Sequence, residues 1–364
     1  MRLELRGVTL VYGPAGAGKS TFVSWYTHGR YSKIFWVSAF EDETTFRSNM
    51  KKLGYDFGDR LSFWEAPLVD AESFFNTLID SVYRERPDAL VVDSITAFLT
   101  EGGRGVELVH NLIYRVVRKL GVDVFLTAER HVAEKVTYVA DNVIELVYEV
   151  YPYGALRTAV VRKVRGWPAG YTVPYIIAEG VGMIFLTPGE AGNVGVLKTG
   201  TCLDQITGGL YKGALTAVVG PTGSGKTWLM LTVAKALKDA GAKVSYVNLG
   251  GGARLYAEKT GVEALEVEPD LTKLLLLLYQ LTASGHDAIF VRGLEILSLF
   301  YGREILYTAL QLLHKLSRMG TAVVVSLREL YNADMIFDVI VKIGEAGVEA
   351  VRSPLGRRGP VRCS

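Results

Sequence analysis

The chain has 364 residues, with 40 Lys and Arg against 38 Asp and Glu, and the resulting net charge of +2 suggests neither a polyanion coat nor an acidic solvating tail. At 49% hydrophobic and 21% charged it can bury real cores, and its length fits two domains. Cys202 and Cys363 are its only cysteines, which excludes a disulfide scaffold and a Cys-based zinc site.

The opening residues, Met1-Arg2-Leu3-Glu4-Leu5-Arg6, lead straight into a strand and a Gly-rich loop, with no apolar signal region or small-residue cleavage site. No run approaches the ~18 to 20 apolar residues of a membrane helix. Leu274 to Leu278, flanked by Lys273 and Tyr279-Gln280, reads as a core-facing helix segment. A soluble, cytoplasmic protein is the expectation.

The chain then repeats itself. Thr9 to Ser20, TLVYGPAGAGKS, returns as Thr216 to Thr227, TAVVGPTGSGKT, an offset of 207 residues. Each copy is followed by a helix and a continuous apolar strand, Lys33 to Val37 and Lys243 to Val247. Such strands are buried on both faces. Val109, Leu112, Ile113, Val116, Val117 and Leu120 form a helical stripe between strands Ala89 to Asp93 and Val122 to Thr127. The second half answers with Ala288 to Val291 and Thr321 to Val325. Alternating strands and helices imply α/β domains with parallel sheets. Asn142 to Tyr151, Leu156 to Lys163 and Tyr171 to Ile177 follow without intervening helices and predict an antiparallel extension at one edge. Pro188 to Lys198, with Gly189, Gly192 and Gly195, reads as the linker between a first domain at 1–187 and a second at 199–364.

Gly-x-x-x-x-Gly-Lys-Ser/Thr curls backbone amides around a polyphosphate at a helix N-terminus, where the dipole favours anions. The first loop is Gly13, Pro14, Ala15, Gly16, Ala17, Gly18, Lys19, Ser20 and Thr21; the second is Gly220, Pro221, Thr222, Gly223, Ser224, Gly225, Lys226 and Thr227. Both stand after an apolar strand and before a helix, which sets them apart from ordinary strand-turn-helix corners. Lys19 and Lys226 are assigned to the phosphates, and Ser20 and Thr227 to magnesium. Asp93, ending the apolar strand Leu90 to Asp93, supplies the second metal oxygen. The corresponding strand of the second half ends in Arg292, which cannot coordinate a cation, so metal-dependent hydrolysis should be weak or absent there. Arg292 has two options, a phosphate or a carboxylate such as Glu295. Past Ile34 to Val37, Glu41 is the leading candidate to orient the attacking water and Asp42 the second, against the bland reading that Glu41, Asp42 and Glu43 only suit the helix dipole. The second half has Asn248-Leu249-Gly250-Gly251-Gly252 in that place.

These blocks, together with Leu126-Thr127-Ala128-Glu129, Val139 to Leu146, Arg157 to Gly166 and the entry Thr199 to Leu210, resemble the KaiC-like branch of the RecA-superfamily ATPases in its tandem-domain form. The resemblance covers nearly the whole chain. It implies two tandem RecA-like P-loop domains, ATP and Mg2+ as ligands, ATP hydrolysis, and a homo-oligomeric ring, a hexamer among its options, with nucleotide at subunit interfaces. It implies further that Glu41 and Asp42 act on water, and that Lys163 and Arg165 reach the nucleotide of a neighbouring subunit. Without it, Lys163 and Arg165 read as solvated strand-end charges. Two departures stand out. The first half lacks the entry seen at Thr199 to Leu210, as if trimmed or started late, and the second half has lost the metal acid and the water-positioning acids.

A DNA-binding recombination mediator is the competing reading, through the loops Glu101 to Gly105 and Arg130 to Lys135. Their charge is mixed and neither carries an aromatic to stack on bases. A non-catalytic scaffold that uses ATP to hold a ring is the third. The five histidines have no metal-ligand spacing.

Overall fold

The apolar runs of both halves become the inner strands of two sheets in a computed structural model, which describes residues 3–66, 71–99, 105–113, 116, 119–152, 154–186 and 195–363. Two compact units result, Met1–Glu149 with Leu156–Phe185 and Val150–Ala155 with Leu186–Ser364. The expected linker falls mostly outside the described residues.

In the first unit the strands are β1 (Val8–Tyr12), β2 (Ile34–Ser38), β3 (Leu61–Glu65), β4 (Ala89–Asp93), β5 (Asp123–Ala128), β6 (Asn142–Tyr151), β7 (Gly154–Val164), β8 (Tyr171–Ala178) and β9 (Gly182–Phe185). The helices are α1 (Lys19–His28), α2 (Glu43–Lys52), α3 (Ala71–Glu85), α4 (Gly105–Ile113) and α5 (Arg130–Ala133). The sheet order is β3-β2-β4-β5-β1-β6-β7-β8-β9, with parallel pairing from β3 through β6 and antiparallel β7–β8 and β8–β9 pairs. Side chains alternate across a strand, so β2 sends Phe35 and Val37 into one core with Leu90, Val92 and Phe74, and Ile34 and Trp36 into another with Phe22, Phe46 and Val91. Helices on both faces explain why these strands are apolar throughout. Of the predicted stripe, Val109 and Val116 are fully buried and Leu120 packs against the same core, while the side chains of Leu112, Ile113 and Val117 lie outside the described residues.

The second unit opens with β10 (Val196–Leu197), α6 (Cys202–Thr207) and β11 (Leu210–Tyr211). Val196 and Leu197, expected in the linker, pair with Tyr211 and Leu210. Asp204 holds the entry together by accepting from Thr199 N at 3.0 Å, Thr199 Oγ1 at 2.8 Å and Gly200 N at 2.9 Å. The unit continues through β12 (Leu215–Val219), α7 (Lys226–Asp239), β13 (Val244–Asn248), α8 (Ala253–Thr260), β14 (Ala264–Glu266) and α9 (Leu271–Ala283). Then come β15 (Ala288–Arg292), α10 (Ile296–Tyr301), α11 (Arg303–Ser317), β16 (Ala322–Leu327), β17 (Val339–Gly344), β18 (Gly347–Arg352) and β19 (Arg358–Val361). Its order, β14-β13-β15-β16-β12-β17-β18-β19, repeats that of the first unit strand for strand up to the edge, where β17–β18 and β18–β19 are antiparallel. Leu274, Leu275 and Leu278 of the leucine run are buried in α9.

Two cysteines are too few for a disulfide scaffold, yet they pair with each other: Cys202 in α6 and Cys363 after β19 form a disulfide with Cα atoms 5.3 Å apart. They are 161 residues apart in the chain, a separation at which spacing carries no signal. Among the described residues, no helix is long and apolar enough to cross a membrane.

Candidate functional site

Both phosphate loops leave the C-terminal end of a central parallel strand, where open α/β sheets bind ligands. The first runs from β1 into α1. Gly18 is in the left-handed region at φ 90° and stands immediately before α1, and a Cβ on Gly13 would collide with the Leu146 carbonyl oxygen. Glycine is therefore required at both places, by conformation at one and by close approach at the other.

Lys19 Nζ donates to Gly13 O at 2.9 Å, Pro14 O at 3.2 Å and Glu129 Oε1 at 2.7 Å. The sequence reading quoted Glu129 only within a block and gave it no role. Its signal was positional: it follows β5, whose Ala128 pairs with Tyr12 at the end of β1, so its carboxylate comes out beside the loop.

Asp93 ends β4, between β2 and β5, and its carboxylate accepts from the Thr127 hydroxyl, with the Ser20 side chain close enough to favour its charged form. Burial raises its pKa above the ordinary aspartate value of 3.8, against the opposing pull of Ser20, Thr127 and Lys19. Two hard oxygens at Ser20 and Asp93 suit Mg2+, which keeps waters and phosphate oxygens as its other ligands. Among the described residues no group of three or more His, Cys, Asp or Glu is arranged to hold a metal by itself.

The β2 exit runs beside this point, since Ala39 N donates to Asp93 O at 3.0 Å. Glu41 Oε1 accepts from Asn49 Nδ2 at 2.8 Å, and its amide donates to Ser38 Oγ at 2.9 Å. Asp42 is the N-cap of α2, accepting from Thr45 N at 2.8 Å and Thr45 Oγ1 at 2.7 Å, bonds that lower its pKa. Both acids thus bond into their own turn and the first turns of α2, beside a concavity of about 360 Å³ shared with Ser38, Phe40, Glu65 and Ala66.

Lys163 and Arg165 stand elsewhere. Lys163 Nζ donates to Ala140 O, and Arg165 Nη1 meets Asp141 Oδ1 at 2.6 Å with the arginine side chain 77% exposed. Asn142 pairs with Thr9 at the start of β1, whereas the loop begins at Gly13, roughly 13 Å further along the strand. The two cations therefore lie at the opposite sheet edge from their own loop. Nearer to it, the buried Glu145, level with Tyr12, accepts from both Arg130 and Arg162. Arg130 thereby has a partner, and the loop Glu101 to Gly105 has residues 101–104 outside the described set.

The second loop runs from β12 into α7 with Gly225 at φ 92°, and Lys226 Nζ donates to Gly220 O and Pro221 O. Strand register aligns the two units. Ser38 pairs with Asp93 and Asn248 with Arg292; Tyr12 pairs with Ala128 and Val219 with Leu327. Arg292 therefore stands in the place of Asp93, and Arg328, one residue past Leu327, in the place of Glu129. Arg292 Nε donates to Thr227 Oγ1 at 3.0 Å, and Nη1 to Asn248 Oδ1 at 2.9 Å and Gly251 O at 2.8 Å. The carboxylate foreseen from sequence is not its partner: Glu295 instead accepts from Arg328 N at 2.6 Å and Tyr331 Oη at 2.7 Å. In the first unit Thr96 Oγ1 does the same for Glu129 N at 2.9 Å. Arg328 Nε reaches Thr222 Oγ1 at 3.1 Å. Loop, arginines, Glu295, Trp228 and Tyr256 line a cavity of about 500 Å³.

The family model for the KaiC ATPase matches residues 2–190, just over half of the chain. No curated protein matches it.

The raised pKa of Asp93 gives metal binding a definite pH dependence. As pH falls, this carboxylate takes up its proton before an ordinary aspartate at 3.8 would, and a protonated Asp93 cannot hold Mg2+. Mg2+-dependent nucleotide affinity at the first loop should therefore decline on acidification starting above the normal aspartate range, and Asp93→Asn should flatten the profile. Titrating nucleotide at several pH values in Mg2+ measures this; a decline confined to pH below 3.8 would contradict the burial argument.

Proposed function

The chain belongs to the KaiC ATPase family, and from that premise we propose that its first unit hydrolyses MgATP while its second binds nucleotide without hydrolysing it. An ATP-binding ATPase of the RecA/P-loop class is what the family establishes, and Mg2+ is its usual companion ion. The division of labour rests on one observation: the strand position filled by Asp93 in the first unit is filled in the second by Arg292, which donates to the Thr227 hydroxyl.

In the first unit the amides of Gly13 to Ser20 would cradle the phosphates at the start of α1. Lys19 would exchange its Glu129 partner for the β- and γ-phosphates, so binding begins by breaking the ion pair that orients the lysine. Ser20 and Asp93 would hold Mg2+, which would offset the charge of the phosphates. Glu41, steadied by Asn49 and Ser38, is the acid we assign to orient water. Asp42 ranks second because Thr45 engages both its oxygens. Lys163 and Arg165 can serve only a neighbour's site, given their place at the opposite edge. KaiC-like ATPases commonly form rings, and a cation delivered from the next subunit would make hydrolysis depend on assembly.

Phosphate release tests the division. Lys19→Ala or Asp93→Asn should lower the rate at least ~100-fold, whereas Lys226→Ala should leave most of it. Equal losses from both loops would contradict the assignment. Complementation tests the trans cations: Lys19→Ala and Arg165→Ala proteins, each weak alone, should regain activity on mixing, because a wild-type first loop then meets an intact neighbouring Arg165. Mixtures no more active than their parts would argue against it.

A further inference from the structure

The second loop does not fit a metal ion. Thr227, the hydroxyl that a magnesium would need, accepts from Arg292 Nε at 3.0 Å, and the carboxylate that would share the ion is absent because Arg292 occupies its strand position. The place next to the lysine is also reversed in sign, Arg328 standing where the first unit has Glu129. The first loop thus gathers one cation and two acids, Lys19 with Asp93 and Glu129. Its counterpart gathers three cations and one acid, Lys226, Arg292 and Arg328 with Glu295. Counting unit charges, the first set sums to −1 and needs a divalent cation before it can take a tetra-anion. The second sums to +2 without one.

We propose that the second loop is a metal-independent site for a nucleoside triphosphate, in which the Arg292 guanidinium occupies the position of magnesium and Arg328 joins Lys226 on the phosphates. The proposal deepens the reading of the second unit as a nucleotide binder and rests on it. Geometry supports it in three ways. Arg292 is held by Asn248 Oδ1 and the Gly250 and Gly251 carbonyls, so its fork is fixed beside Thr227 without a carboxylate neutralising it. Its Nε and Nη1 are engaged by the protein, and Nη2 is the nitrogen that would donate to phosphate oxygens. Glu295, which lines the same cavity, is occupied by Arg328 N and Tyr331 Oη, which keeps it from pairing with the Arg292 head. Finally, the cavity of about 500 Å³ is within the range of nucleotide-sized sites, and Trp228 and Tyr256, both largely exposed, form part of its wall. Burial lowers the Lys226 pKa, Glu295 opposes that lowering, and Arg328 and Arg292 add to it as neighbouring like charges. A guanidinium cannot accept the metal's role of activating water, so such a site retains its nucleotide rather than consuming it.

Equilibrium dialysis with labelled ATP on the full chain carrying Lys19→Ala, which silences the first loop, tests this directly. With excess EDTA the protein should still bind about one ATP per chain, and adding Mg2+ should change the Kd by less than about threefold. In that background Arg292→Ala should weaken the EDTA binding at least ~10-fold, and Arg292→Asp should abolish it while restoring a requirement for Mg2+. Arg292→Gln serves as a second neutral variant, and thermal melting confirms that each protein is folded. Binding that appears only with Mg2+ would overturn the proposal and leave the nucleotide-binding reading of the second unit standing. No binding with or without Mg2+ would overturn both. EDTA-resistant binding indifferent to Arg292→Ala and Arg292→Gln would refute the role of this arginine.

Discussion

A carboxylate buried at the end of β4, in reach of the hydroxyl that opens α1, is the constraint from which the chemistry of the first unit follows. Burial raises the Asp93 pKa, and Ser20, Thr127 and Lys19 oppose that rise only in part. A divalent cation held there, as proposed, would favour the charged form further. The pairing of β4 between β2 and β5 fixes that carboxylate at the C-terminal edge, and the same register carries Glu129 out beside Lys19. On the proposed function, these neighbouring charges would exchange partners when a metal-bound triphosphate arrives.

The second unit keeps the strand order and loop backbone of that arrangement and changes the charges. Its sheet order matches the first, its loop glycine Gly225 adopts the same left-handed conformation as Gly18, and its lysine donates to the same two loop carbonyls. Even the tie from the β5 exit to the β4 exit persists, with Glu295 replacing Thr96 as acceptor. Against that conserved frame, the two strand-tip acids have become arginines. A backbone cradle for phosphate is retained while the means of holding a metal is removed, which is the combination expected of a site that binds and does not turn over.

Much of the scaffold was legible from residues alone because its signals are local. The repeated loops, the strands apolar on both faces, and the helix-free stretch from Asn142 onward all appear where sequence puts them. The loss of an acid at Arg292 was visible for the same reason. What escaped reading depends on pairing over distance. Glu129 and Arg328 become equivalent only once β5 and β16 are set in register beside β1 and β12. The partners of Arg292 come from α7 and from the β13 exit, not from the nearby Glu295. Cys202 and Cys363 meet only because α6 packs near the end of β19, and Asp42 becomes a cap only because α2 begins immediately after it.

The central claim concerns where a metal ion can sit. Soaking crystals of the full chain with Mn2+ and a slowly hydrolysed ATP analogue, then locating manganese by its anomalous scattering, addresses it most directly. Nucleotide at both loops with manganese only between Ser20 and Asp93 is the predicted result; manganese beside Thr227, or its absence from Asp93 with nucleotide bound there, would contradict the account.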